Sequence, residues 1–152
     1  MDEPDFFINK NQGVAIVGLG LIGGSIAGAL KINGFKNIMG IDTQNKAIED
    51  AINKDFIKLG DTEPENILPL AEIVIVCLYP KETAEFIKKH MNDFKYKAVI
   101  TDVSGIKLDL FNEINSCLRA DLEFVGGHPM AGSHFRGFDY ANPYLFMDAN
   151  YI

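Results

Sequence analysis

Two apolar rhythms alternate along this chain. Short blocks (Val14-Ala15-Ile16-Val17, Ile38-Met39-Gly40-Ile41, Ile73-Val74-Ile75-Val76-Cys77-Leu78, Ala98-Val99-Ile100 and Leu122-Glu123-Phe124-Val125) have the length and β-branched content of strands. The third is apolar throughout, as a strand covered on both faces requires. Between the blocks, apolar residues recur at helical spacing: through residues 21–30, at Ala47, Ile48, Ala51 and Ile52, at Ala84, Ile87 and Met91, and at Leu108, Phe111, Ile114 and Leu118. Each set marks one buried helical face. Thr43 is the expected N-cap of the second helix, and Pro80 suits the first turn of the third, whose body is expected at residues 81–91. Residues 55–59 read as a short strand and Gly60-Asp61-Thr62-Glu63-Pro64 as a turn. Residues 1–12 read as an irregular leader, in which Phe6, Phe7 and Ile8 could lay an apolar patch on the domain surface.

The alternation continues from residue 13 to residue 152 without an internal repeat, low-complexity tract or linker. It predicts an α/β domain, a doubly wound and mostly parallel sheet whose ligand crevice lies at the carboxyl ends of the strands. The first of those ends carries Gly18-x-Gly20-x-x-Gly23, set between strand and helix. Gly18 permits the tight turn, Gly20 lets the backbone approach a pyrophosphate, and Gly23 lets the helix pack closely on the strand. With Leu21 and Ile22, this loop offers an anion the bare N–H groups and the positive end of a helix. No basic residue occurs between Gly13 and Leu30 to do that work instead. Asp42 ends the second strand at roughly the 20-residue distance of a dinucleotide-binding fingerprint. There it would accept hydrogen bonds from the adenosine ribose and repel a 2′-phosphate, so the expected cofactor is NAD rather than NADP. Taken alone, Asp42 also fits an Asx turn or a helix cap.

Composition narrows the setting. A chain of 152 residues, 47% hydrophobic and 23% charged, can bury one good core and leaves little room for a second domain. Its net charge of -7 argues against a nucleic-acid partner or an anionic membrane surface. The N-terminus is acidic where a secretory signal would be basic, and no apolar run approaches the length of a membrane span. Cys77 and Cys117 lie in neither a CxxC nor a metal spacing and are expected to pack as small apolar side chains. A reducing cytoplasm is the expected compartment, and no metal site is expected.

Three further motifs follow predicted strands at the same edge: Tyr79-Pro80, Asp102-Val103-Ser104-Gly105-Ile106-Lys107, and Gly126-Gly127-His128-Pro129-Met130-Ala131-Gly132-Ser133. Tyr79, Pro80 and Asp102 are placed by position in the cofactor crevice. His128 stands between a glycine pair and a proline, on backbone that can turn sharply and then extend. Held there, it could exchange a proton near neutral pH; a satisfied structural histidine is the competing reading. His90, after Lys88-Lys89, reads as a surface residue interacting with a helix C-terminus.

GLGLIGGS, then TDVxxxK, then GGHPMAGS, in this order and at these separations, resemble the nucleotide-binding domain of the prephenate dehydrogenase family and its arogenate-using relatives. The resemblance runs from about Gly13 to the end of the chain. It implies NAD-dependent oxidative decarboxylation of a small-molecule substrate, prephenate, to 4-hydroxyphenylpyruvate in tyrosine biosynthesis. It makes His128 the catalytic histidine, bonded to the ring 4-hydroxyl and helping to remove its proton. It also implies a serine near that hydroxyl. Here Ser104-Gly105 stands where the common pattern reads Gly-Ser, so Ser104 either reaches the substrate by a shifted turn or caps the following helix.

His134 occupies the place of a glutamate that usually follows AGS, and Arg136 beside it either meets an anionic substrate or cofactor or lies at the surface. Family members continue into a helical domain that forms a homodimer and completes the substrate site. The chain is therefore expected to be the cofactor domain of a larger enzyme, binding NAD but turning over little. The competing readings are an arogenate dehydrogenase or another two-domain Rossmann reductase and, from a different class, a non-catalytic NAD-binding regulatory module.

Overall fold

The strand β1 (Gly13–Val17) is buried along its whole length because it runs through the middle of the sheet with helices above and below. In the computed structural model, which describes residues 8–105 and 107–152, five more strands extend outward from it. They are β2 (Asn37–Ile41), β3 (Leu59–Asp61), β4 (Ile73–Val76), β5 (Val99–Asp102) and β6 (Glu123–Val125), in the spatial order β3-β2-β1-β4-β5-β6. Every pairing within this sheet is parallel. The chain thus winds outward from β1 in one direction, crosses back, and winds outward in the other. The crevice expected of such a sheet lies where the winding reverses, between β1 and β4.

The register aligns the strand ends. Val17 of β1 faces Ile41 of β2 and Val76 of β4, so the residues that follow, Gly18, Asp42 and Cys77, emerge side by side at one edge.

Alternate residues of β1 feed two cores. Val14 and Ile16 pack with Ala27 of α1 (Leu21–Ile32) and with Ile48 and Ala51 of α2 (Asn45–Asn53). Ala15 and Val17 pack on the opposite face, with Ala84 and Ile87 of α3 (Pro80–Lys89) and Leu110 and Ile114 of α4 (Leu108–Asn115). No α-helix joins β3 to β4. Two single 3-10 turns, Pro64–Asn66 and Leu68–Leu70, do so instead and bury Ile67 and Leu68. A groove therefore remains open between these turns and α3. Among the described residues no helix is long and apolar enough to cross a membrane.

Several local expectations require correction. The third strand starts at Leu59 rather than spanning residues 55–59, and takes in Gly60 and Asp61 from the expected turn. Asp55 is left-handed (φ 56°), and the Phe56 N–H bonds back to the Ala51 carbonyl, so the chain is still leaving α2 there. Gln44, not Thr43, precedes α2 as its cap residue, with no side-chain cap bond. Ile52 lies on the outer side of α2, and Leu108 and Phe111 are exposed on α4; Ile114 is buried and Leu118 packs on the core as expected, with Leu110 the inward residue that the stripe missed. Cys77 is half-buried and its thiol is pushed far up by burial, whereas Cys117 is exposed rather than packed. Phe6 and Phe7 lie outside the described residues; Ile8 is exposed.

Candidate functional site

The three fingerprint glycines differ in what surrounds them. Gly18 has φ +88°, and a Cβ there would come within 2.8 Å of the Cys77 carbonyl oxygen. A Cβ at Gly23 would lie 1.8 Å from the Gly18 carbonyl oxygen, so the helix and the loop touch backbone to backbone. At Gly20 an added Cβ would meet nothing within 4 Å. That open space stands over the start of α1, whose cap residue Gly20 contributes no side chain and whose first turn holds no acid. A Cβ would project into this open space, a cradle that suits an anion met by first-turn N–H groups and the positive helix end. Leu21 is buried beneath it and Ile22 is half-buried. One turn further on, Ser25 donates to the Leu21 carbonyl oxygen and accepts the Asn142 N–H at 2.9 Å, tying the last part of the chain to this helix.

On one side of the loop lies a cavity of about 700 Å³ that includes Gly18, Asp42 and Thr43 in its lining. The Asp42 carboxylate accepts the Leu19 N–H at 2.7 Å through one oxygen and the Gln44 N–H at 2.9 Å through the other. The Asx turn weighed from sequence is therefore present, in a carboxylate that also lines the cavity. The far wall carries Phe86 and His90. His90 is only 7% exposed, with its ring tilted against Phe86 at 4.8 Å and Nδ1 2.8 Å from an Asp93 carboxylate oxygen. The surface histidine read from sequence is in fact part of this wall.

On the other side of the loop a second cavity, of about 590 Å³, is lined by Gly20, Leu21, Ile22 and Gly23, by Tyr79 and by the segment 133–137. Tyr79 is exposed at its mouth, and Pro80 shapes the turn by opening α3. His134 and Arg136 reach this cavity from an exposed loop. There the Phe135 ring lies 4.3 Å from His134 and stacks on Tyr140 at 4.6 Å.

His128 follows β6 at the same sheet edge. Its Nδ1 lies 3.3 Å from the Val103 carbonyl oxygen, and its ring covers Gly105, where a Cβ would come within 3.2 Å of it. A carbonyl only accepts, so the neutral ring carries its hydrogen on Nδ1 and leaves Nε2 as the acceptor. Three backbone bonds brace the loop: His128 N–H to the Ile152 oxygen, Ile152 N–H back to His128, and Met130 N–H to Asn150. Tyr151 thereby lies over Gly127, and burial raises its phenol above the ordinary range.

Beneath His128, the Asp102 carboxylate is fully enclosed. One oxygen accepts Lys107 Nζ at 2.6 Å and the Gly127 N–H at 3.3 Å; the other accepts both the N–H and the hydroxyl of Ser104. Lys107 also donates to the Gly127 carbonyl oxygen at 2.6 Å. Asp102 thus sits inside the frame that holds the histidine loop, and the Ser104 hydroxyl is engaged there rather than capping α4, whose cap residue Lys107 makes no side-chain bond to the helix N-terminus. Sequence reasoning gave no role to Lys107, Tyr151 or Asp93. The lysine lay in plain view in TDVxxxK, while the other two are identified by contacts that no spacing encodes.

A doubly wound parallel sheet with a glycine loop at its switch point and an acid at the end of β2 defines a dinucleotide-binding domain. The family profile described as "Prephenate dehydrogenase, nucleotide-binding domain" matches residues 26–152, and the chain belongs to that family. It is 33% identical over 141 residues to the prephenate dehydrogenase of Bacillus subtilis, covering 91% of this chain and 38% of the relative. It superposes with a TM-score of 0.83 and 30% identity on the prephenate dehydrogenase of Aquifex aeolicus in complex with hydroxyphenyl propionate and NAD+, covering 92% and 49% of the two chains. Arogenate dehydrogenase of Synechocystis gives a TM-score of 0.84 at 29% identity, covering 91% and 48%. The chain therefore spans well under half the length of the Bacillus relative and about half of each solved chain.

Proposed function

We propose that this chain is the cofactor domain of an NAD-dependent dehydrogenase that converts prephenate to 4-hydroxyphenylpyruvate in tyrosine biosynthesis. The observation that carries the reading is the placement of His128 after β6, at the same sheet edge as the glycine loop, with Nδ1 3.3 Å from the Val103 carbonyl oxygen. Its Nε2 stands over Gly105, free to act as a base in the neutral ring. Bound NAD would supply the hydride acceptor, its pyrophosphate over Gly20 and its adenosine ribose on Asp42. Asp42 favours NAD over NADP because its charge would repel a 2′-phosphate.

His128 Nε2 takes the proton of the ring 4-hydroxyl as hydride departs from the carbon that bears it and a carbonyl forms. Asp102 and Lys107 hold the Gly127 peptide and so keep the imidazole at its post. The carboxylate borne directly on the ring carbon opposite the new carbonyl then leaves as carbon dioxide, and the pair of the broken carbon–carbon bond restores the aromatic ring, while the pyruvyl side chain keeps its own carboxylate. A further domain of the full enzyme completes the substrate site and forms the dimer.

The likeness to an arogenate dehydrogenase keeps the amino analogue as a second substrate. The test is NADH formation by the full-length gene product with prephenate and with arogenate, against NAD and NADP, with this chain as control. Activity with prephenate and NAD, absent from the control, is the expected result. Tight NAD binding with neither substrate turned over would instead support the regulatory module.

A further inference from the structure

His90 was left without a role by the chemistry above, yet it is nine-tenths buried in the wall of the cavity that Asp42 opens. Its Nδ1 faces the Asp93 carboxylate at 2.8 Å. An ionised carboxylate only accepts, so in the neutral imidazole the hydrogen sits on Nδ1 and Nε2 is an acceptor. Nε2 has no hydrogen-bond partner among the described residues, and no buried side-chain nitrogen or oxygen there lacks one. Nε2 is therefore not sealed in the core, and His90 lines the cavity.

Phe86, tilted against the imidazole, and Leu78 give the same wall an apolar surface that suits the face of a planar ring. The cavity thus joins a carboxylate for a ribose to a wall that sets a flat apolar surface beside a neutral acceptor, with Glu63, Glu65, Lys89 and Asp93 also in its lining. That combination matches a purine carrying an exocyclic amine.

We propose that His90, oriented by Asp93, reads the amine of the cofactor's adenine and makes this domain selective for adenine over a 6-oxo purine. The proposal rests on the dinucleotide reading of the site. Hypoxanthine and guanine present a carbonyl where adenine presents an amine, and an acceptor facing an acceptor leaves both unpaired. Rejection of a mismatched hydrogen-bonding group by a buried site is steep, whereas an apolar wall alone discriminates little.

The experiment is calorimetric titration of the 152-residue chain with NAD and with nicotinamide hypoxanthine dinucleotide, for the wild type, His90→Leu and His90→Gln. The wild type is expected to bind NAD at least about tenfold more tightly than the hypoxanthine analogue. His90→Leu should bring the ratio to near one, chiefly by weakening NAD, and His90→Gln, whose amide oxygen is an acceptor, should recover part of it. Equal wild-type affinities overturn the proposal while leaving the dinucleotide site intact, and this arm needs no variant to fold. Selectivity that survives in His90→Leu also overturns it. Failure of the wild type to bind either dinucleotide overturns the cofactor reading on which it stands.

Discussion

Alanine in place of Gly23, and separately in place of Gly20, puts the same methyl group three residues apart in one loop and should have opposite consequences. At Gly23 the new Cβ would lie 1.8 Å from the Gly18 carbonyl oxygen and 3.1 Å from Ile16 Cγ2, and Ile16 is fully buried. Neither neighbour is a flexible tip, so α1 must lift from β1 by about 1.5 Å to restore ordinary contact. Overpacking that moves backbone costs about 3 kcal/mol, the upper end of the usual range, and the better helix propensity of alanine returns about 1 kcal/mol. The net loss of about 2 kcal/mol should lower the melting temperature by about 4–8 °C in a domain of this size.

At Gly20 the methyl meets nothing within 4 Å, and φ of -83° suits alanine. Only the cap preference is lost, about 0.5 kcal/mol, so the melting temperature should fall by no more than about 2 °C. NAD affinity, by contrast, should fall at least about tenfold, because the methyl occupies the ground on which a pyrophosphate would rest. Thermal melts by circular dichroism, with calorimetric titration of NAD, read both quantities. Undiminished NAD affinity in Gly20→Ala would refute the cradle, and an unchanged melt in Gly23→Ala would refute the backbone contact.

Further outcomes follow from the same geometry. In the full-length enzyme, His128→Asn should cut turnover by about 10²–10⁴-fold with NAD affinity nearly unchanged, as steady-state rates and titration would show; an unaffected rate removes His128 from the chemistry. Asp42→Ala should weaken NAD more than NADP, and equal losses would make Asp42 purely a loop support. Arg119 bonds the Asp121 carboxylate and holds its pKa down to about 2, below the ordinary 3.8. A depressed acid contributes stability that is full above its ordinary pKa and is lost as pH falls from about 4 to about 2. Asp121→Asn should therefore flatten that part of an acid-unfolding curve, and an unaltered slope would show that the pair contributes nothing there.

The legible parts of this molecule are those whose causes are contiguous. In residues 13–42 the apolar block, the three glycines, the helical stripe and the terminal acid each lie next to what they act on, so order and spacing carry the whole argument. His90 shows the opposite case. Its burial depends on Phe86 one turn back, on Asp93 beyond the helix, and on a groove that exists because 3-10 turns stand where an α-helix would be. None of these leaves a periodic trace, and the preceding lysine pair suggests the surface. Ser104 was legible as a hydroxyl beside a strand end but not as a partner of Asp102, because an enclosed carboxylate draws in whichever donors the local turn offers. Leu108 and Phe111 show that a helical stripe read by spacing can be turned: α4 buries Leu110 and Ile114, four residues apart, and leaves Leu108 and Phe111 exposed.

Asp42 has a consequence for anyone retooling this domain toward a phosphorylated cofactor. Its carboxylate both faces the cavity and clasps the Leu19 N–H inside the glycine loop. On the proposed cofactor placement, a small residue or an arginine at position 42 would admit the extra phosphate and at the same moment remove the acceptor of the Leu19 N–H in the loop proposed to hold the pyrophosphate. Two jobs are fused in one side chain, so a swap of cofactor preference is not a single mutational step. A successful redesign would first furnish Leu19 with another acceptor and only then change the charge.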